Sequence, residues 1–346
     1  MFHHRTIRWI IAVVAFRAVL AASTVADPFA FFGPTVTMTA DDRRQLDRGE
    51  PVARVVPARD REVAVFAAIP VDIDGDRLVA WMRRIVELKK SPYVLAIGRF
   101  SDPPSMDDLA GLALGDEELS EIRQCRPGDC ALKLSGPEMT ELQRAAGAAQ
   151  GDWKPVLQQA FRRMVLQRVE AYLAHGHAAL SPYEDHKGPV SPAARFALLL
   201  GHSVFLTERL PRLAEHLGRY PDTPTPDVES FVYWSKERLA TRAIVSATHV
   251  SILRSNDAGL PDALVAGKEI FATHYVTASL AFTAIVRGEP GGHNYLVYLN
   301  RSEVDVLGGP FGGLIRWFLQ RRLKAEASDV LRGLRRRLES GEPDAG

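Results

Sequence analysis

KEIFATHYVTASLAFTAIVR, residues 268–287, decides the fold. Ile270, Ala272, Val276, Ala278, Leu280 and Phe282 alternate with Thr273, Tyr275, Thr277, Ser279 and Thr283. A period of two sends successive side chains to opposite faces, so the stretch reads as one long antiparallel strand with an apolar and a moderately polar face. Similar runs predict strands near 231–234, 241–254 and 295–306, with GEPGG (288–292) as the turn between the last two. Gly308-Gly309-Pro310 then stops the sheet. A long amphipathic helix is expected over 311–340, with Ile315, Phe318, Leu319, Leu323, Val330, Leu331, Leu334 and Leu338 on one stripe. Its basic end, Arg332 and Arg335 to Arg337, complements the helix dipole and reads as a solvated face.

Upstream, REVAVFAAIPV (61–71) predicts another strand. Asp74 offers an N-cap to a helix carrying Leu78, Trp81, Met82, Ile85, Val86 and Leu88, and 93–100 predicts a second short strand. Residues 138–218 turn helical. One apolar stripe runs from Trp153 to Tyr172 and another through Phe196, Leu199, Phe205, Leu210 and Leu213, around a loop at 175–192. Pro-rich 220–226 reads as a linker, 105–123 as an acidic loop with helical turns, and 27–60 as an extended lead-in. The expected division is therefore a leader at 1–26, the lead-in, one α+β domain over 61–340 with a helical insertion at 138–218, and a tail at 341–346.

The first 26 residues have the order of a secretory signal: basic Arg5 and Arg8, an apolar run interrupted by Arg17, and small residues before a cut near Ala26. No later segment is apolar for the ~20 residues a span needs. The mature chain is expected in the periplasm or outside the cell. A net charge of +1, from 43 basic and 42 acidic side chains, gives nucleic acid no overall electrostatic pull. The two cysteines flank a Pro-Gly turn in CRPGDC (125–130). In an oxidising compartment Cys125 and Cys130 are expected to pair as a staple, with Leu132 and Leu134 following as in a strand. A redox pair would more often be spaced C-x-x-C, and zinc would need further ligands.

The order of strand, short helices, antiparallel meander, Gly-Pro break and long terminal helix resembles the helix-grip arrangement of the START-like lipid-binding superfamily. The matching stretches are REVAVFAAIPVDIDGDRLVAWM (61–82) and residues 231–340. The resemblance covers about half the chain and implies a curved sheet wrapped around the terminal helix, enclosing an apolar cavity.

Three sets of residues are candidates for function. Tyr233, Trp234, Phe271, Tyr275, Phe282, Tyr295 and Tyr298 concentrate on the predicted sheet and would line a pocket for an apolar ligand, with Thr248, Thr273, Thr277 and Arg242 as polar anchors. Aromatics in strands more often simply pack a core. His249, His274 and His293 fall on or beside three predicted strands and match zinc in ligand type, though not in spacing. His175, His177, Glu184, Asp185 and His186 crowd one loop, as an acid/base or metal site would, and as a solvated loop does. The reading that follows is non-catalytic binding of a hydrophobic or lipid-like small molecule, with no cofactor. The alternatives are a hydrolase-like or metal-dependent enzyme using the histidines, and an envelope interaction protein with a filled core.

Overall fold

The computed structural model describes residues 27–341 except Pro224, Ala240, Thr241, Ala258, Pro290 and 309–311; the leader and the tail beyond 341 lie outside the described residues. The chain is α+β. A Pro28–Phe32 3-10 turn and helix α1 (Ala40–Asp47) precede strands β1 (Val52–Val55) and β2 (Glu62–Val71). Helices α2 (Gly75–Arg83) and α3 (Ile85–Leu88) lead to β3 (Val94–Arg99). Six helices follow: α4 (Asp116–Gln124), α5 (Gly136–Gly147), α6 (Trp153–His175), α7 (Pro192–His202), α8 (Val204–Arg209) and α9 (Pro211–Arg219). The meander β4 (Val228–Leu239), β5 (Arg242–Arg254), β6 (Ala263–Ala272), β7 (Val276–Val286) and β8 (Asn294–Val304) then runs into α10 (Gly312–Glu339). All eight strands form one open antiparallel sheet in the order β1-β2-β8-β7-β6-β5-β4-β3. Among the described residues no helix is long and apolar enough to cross a membrane.

Local chemistry explains most boundaries. The Asp74 side chain accepts from the Arg77 N–H at the start of α2, Asp152 caps α6 and Ser191 caps α7. The second apolar stripe of the helical block is broken into α7, α8 and α9. Pro211 opens α9 at its first position, where the missing N–H costs nothing, and so ends α8 at Leu210.

Several expectations need correcting. The stretch 268–287 is two strands, not one: β6 ends at Ala272 and β7 starts at Val276. Tyr275 adopts φ +61° between them. The turn is fixed from outside, because the Thr273 carbonyl accepts from the Lys133 N–H at 2.8 Å and the Tyr275 carbonyl from Asp305 at 2.9 Å. Residues 27–60 are not extended throughout. They hold a 3-10 turn, a helix and an edge strand, because Phe29, Phe31 and Phe32 bury against Phe66 and Phe205. Leu132 and Leu134 are buried but belong to no strand. On α10, Leu331 and Leu338 are buried while Val330 is exposed; the side chains of Ile315, Phe318, Leu319 and Leu323 lie outside the described residues.

Both faces of the sheet are covered. One face meets the helical block: Phe66, Leu264, Phe282 and Leu299 pack with Phe196, Phe205 and Leu213, while Trp234, Ala247 and Phe271 pack with Leu157, Phe161 and Tyr172. The opposite face meets α2, α3 and α10. There Ile69, Leu296, Ile285, Val265 and Ile252 form a packed half with Leu78, Met82, Leu331 and Leu338.

Candidate functional site: an open polar floor on the face of the sheet

Along β7 and β8 the alternation of side chains is also an alternation of burial. Leu280, Phe282 and Ala284 on the helical-block face are fully buried, whereas Ser279, Ala281 and Thr283 between them stay partly open. On β8, Tyr298, Asn300 and Ser302 are partly open while Val297, Leu299 and Arg301 are buried. Ser246, Thr248, Gly267 and Glu269 continue the pattern on β5 and β6. Register joins these positions into rows: Ser302 pairs Ser279 and Val63, Asn300 pairs Ala281 and Val65, Gly267 pairs Ala281 and Val250, and Glu269 pairs Thr248, which pairs Tyr233. They therefore share one face, the one opposite the helical block.

The residues at the centre of this floor are small. Among the described residues, a Cβ on Gly267 would meet only Thr248 Cγ2 at 3.5 Å and the Ala281 Cβ at 4.0 Å, both in its own sheet. A strand interior loses packing with glycine, and glycine there often marks a place where something approaches closely. Phe231, Tyr233, Val250 and Tyr298 of these rows join the packed half formed with α2, α3 and the end of α10, and Val63 and Val65 pack with Ala327 of α10. Ser246, Thr248, Gly267, Glu269, Ser279, Ala281, Asn300 and Ser302 between them stay partly open.

Charge is concentrated at one side of the floor. Lys89, just after α3, donates to Glu237 Oε1 at 2.6 Å and to the Tyr233 hydroxyl at 3.2 Å, and Ser235 donates to the same Glu237 oxygen at 2.7 Å. Burial works against the Lys89 charge, but Tyr233 and Glu237 beside it outweigh that and hold the amine above its ordinary value. The same ion pair keeps Glu237 below the usual carboxylate range against the pull of burial. Glu269 has no such help: burial, then the Glu237 charge, push its carboxyl up to about 8. The Tyr298 phenol is raised to about 12, chiefly by burial. Ser279, Asn300 and Ser302 satisfy one another through bonds of 2.8–3.1 Å.

The predicted aromatic set is divided by this geometry. Tyr233 and Tyr298 lie on the floor, as does the suggested anchor Thr248. Trp234 is buried on the other face with its indole N–H donating to Asp108 O at 2.7 Å, Phe271 lies there under Arg168, and Phe282 packs edge-on to Phe205. Tyr275 sits in the turn beside Val63, Val65 and Val304, and Tyr295 packs at a tilt against Phe29. Of the other anchors, Arg242 pairs with Glu121, the Thr273 hydroxyl accepts from the Val245 N–H, and Thr277 donates to Asp305 at 2.7 Å.

The three strand histidines do not gather. His249 accepts from or donates to the Tyr172 hydroxyl at 2.8 Å on the helical-block face, His274 bonds Ala131 O at 2.9 Å, and exposed His293 pairs with Asp72. His293 and Asp72 border an open surface groove of about 540 Å³ with Arg77, Asn294 and Glu339. Of the loop set, His175 is exposed, His177 turns inward to Lys268, and the Glu184 carboxylate accepts from the Gly136 N–H. Asp185, His186 and Asp305 do converge with ligand-type atoms within 4.8 Å of one another. However, Lys133 Nζ already contacts Asp305, lies 3.6 Å from Asp185 and bonds Thr277, so an ammonium group stands where a metal ion would.

Sequence reasoning missed Glu269, Lys89, Glu237 and the Ser279–Asn300–Ser302 group. The signal was present as the moderately polar face of 268–287, but a polar strand face ordinarily means solvent. Cys125 and Cys130 are joined, and the Gly128 and Cys130 N–H groups bond Glu184 O and Asp185 O at 2.7 and 3.1 Å, tying the loop to the next segment of the helical block.

Compared with known family models, curated proteins and solved structures, the chain matches none.

Proposed function

We propose that this protein binds a small molecule with an apolar body and a polar end in the space over the floor of its sheet, without catalysis. The observation that carries this reading is the open row structure around Gly267: a sheet covered on both faces keeps a polar, partly accessible centre where ordinary packing would place Leu or Val. Ala281, Tyr298 and the methyl groups of Thr248 and Thr283, partly open in the same rows, offer the apolar body its contact. A helix-grip relation to the START-like superfamily is the wider form of the proposal. It is supported by the strand order 2-8-7-6-5-4-3 beyond the edge strand, by the two helices between β2 and β3, and by the long helix after β8. On this reading 61–340 is one domain, and the helical block enters and leaves it between the edge strand β3 and its neighbour β4.

We further take the mature chain to be exported. A joined cysteine pair in a chain with no free thiol suits an oxidising compartment. His249, His274 and His293 have separate neighbourhoods, His177, His216 and His249 gather around the Lys268 amine, and the Lys133 amine stands among Asp185, His186 and Asp305, which speaks against a metal-dependent or hydrolase-like reading.

Native mass spectrometry of the mature protein, repeated after denaturation and organic extraction, tests the binding reading. A stoichiometric adduct released into the organic phase is expected. A clean apo mass, together with no uptake of small amphiphiles, would leave an interaction protein with an unused floor as the better account.

A further inference from the structure

We infer that the molecule held over the floor carries a cationic amine, received by the carboxylate of Glu269; the inference rests on the binding reading above. Glu269 is unlike the polar groups around it. Ser279, Asn300 and Ser302 bond one another, Ser235 bonds Glu237, and Lys89 is matched to Glu237 and Tyr233. Among the described residues no hydrogen bond or ion pair reaches the Glu269 carboxyl. Glu269 lies on the floor face with Gly267 and Thr248, and all three stay partly open, so a ligand group can reach the carboxyl.

The sign of that group follows from the local charges. Lys89 and Glu237 cancel as a pair, and Tyr233, Tyr298, Thr248, Ser246 and the three-residue network are neutral. Among the described residues an ionised Glu269 therefore has no cation paired to it and lies next to a second carboxylate, with Lys133 and Lys89 opposing that carboxylate but forming no ion pair with Glu269. An anion brought there meets two like charges, whereas an ammonium group supplies the missing partner and several donors. A fatty-acid-like ligand is disfavoured on the same ground. The charged groups that face Glu269 are Glu237 from β4 and Lys89 from the end of α3, with Lys133 acting through the sheet. Arg316, Arg322 and Lys324 of α10 are outside the described side chains.

Three probes with one apolar body and different ends decide the matter: octylamine, octanol and octanoate, kept below micellar concentrations and measured by calorimetry on the full mature chain. Octylamine is expected to bind about tenfold tighter than octanol, with octanoate weakest. Glu269→Gln should remove the preference for octylamine over octanol. A second measurement needs no variant. The amine remains protonated while Glu269 must lose its proton to receive it, so octylamine affinity should rise about tenfold between about pH 6.5 and about pH 8.5, with proton release on binding. Octanol or octanoate binding as well as octylamine, or a flat pH profile for the amine, overturns the amine assignment and leaves the binding reading standing. Failure of all three probes overturns both.

Discussion

Lys268 has none of its surface exposed and lies one position from Glu269, on the other face of β6. Its amine contacts His177, donates to Leu217 O at 3.3 Å and rests against the rings of Tyr172 and Phe196, with His216 and His249 close by and no carboxylate paired to it among the described residues. Burial pulls the amine well below its ordinary value; burial first, and then Lys268, lowers His177 to about 4 and His249 to about 3. These bases are protonated in the unfolded chain at pH values where the folded chain leaves them neutral, so each makes stability rise with pH. The histidine contribution is complete above the unfolded value of about 6.5 and is lost as pH falls toward 3–4. The lysine contribution keeps growing to about pH 10, by up to about 1.4 kcal/mol per pH unit. Lys268→Met keeps the length of the side chain and removes the amine. It should stabilise the protein by on the order of 2 kcal/mol near neutrality and flatten the slope between neutral and alkaline pH. Urea unfolding of both proteins across that range reads the effect; a less stable variant, or an unchanged slope, would show that Lys268 is charged and paired after all.

At the scale of elements, what could be read from the sequence was what periodicity and turn residues announce. The strands at 62–71 and 242–254 and the helix at 312–339 lie close to where their apolar spacing puts them, while the single helix expected through Leu78–Leu88 is broken at Arg84 into α2 and α3. The β6–β7 turn was invisible because no Gly, Pro, Asn or Asp occupies Thr273-His274-Tyr275. It is imposed by Lys133, Val245, Ala131 and Asp305, all distant in sequence. The CRPGDC loop is the reverse case, since Pro127 and Gly128, with φ +87° at the glycine, mark it locally. Its bond closes a short loop, so the double substitution Cys125→Ala, Cys130→Ala should cost about 2 kcal/mol in chemical unfolding. The loss should come with faster amide exchange at Gly128 and Cys130, whose N–H groups reach the 184–185 backbone. Unchanged stability and exchange would mean that those backbone bonds hold the loop unaided.

For the whole molecule, the sequence could not say which layer covers which face. Periodicity marks Ser279, Ala281 and Thr283 as one row and Leu280, Phe282 and Ala284 as another, but a moderately polar row looks alike whether it meets solvent or an internal space. The inserted helices settle it by covering the apolar row, which leaves the polar row facing α2, α3 and α10. Two substitutions separate the faces. Phe282→Ala empties a buried site against Phe205 and should cost about 3–5 kcal/mol. Uptake of octanol by the fraction still folded should be unaffected. Gly267→Val does the opposite. Its new side chain enters the strand at ordinary contact distances from Thr248 and Ala281, and a β-branched residue suits a strand, so stability should change by less than about 1 kcal/mol or increase. The same methyl groups fill the centre of the floor and should weaken octanol binding by about tenfold or more. Unfolding curves and calorimetry on the two variants give both readouts together. If Gly267→Val destabilises as strongly as Phe282→Ala, a facing layer already occupies the space above Gly267, and there is no room there for a ligand.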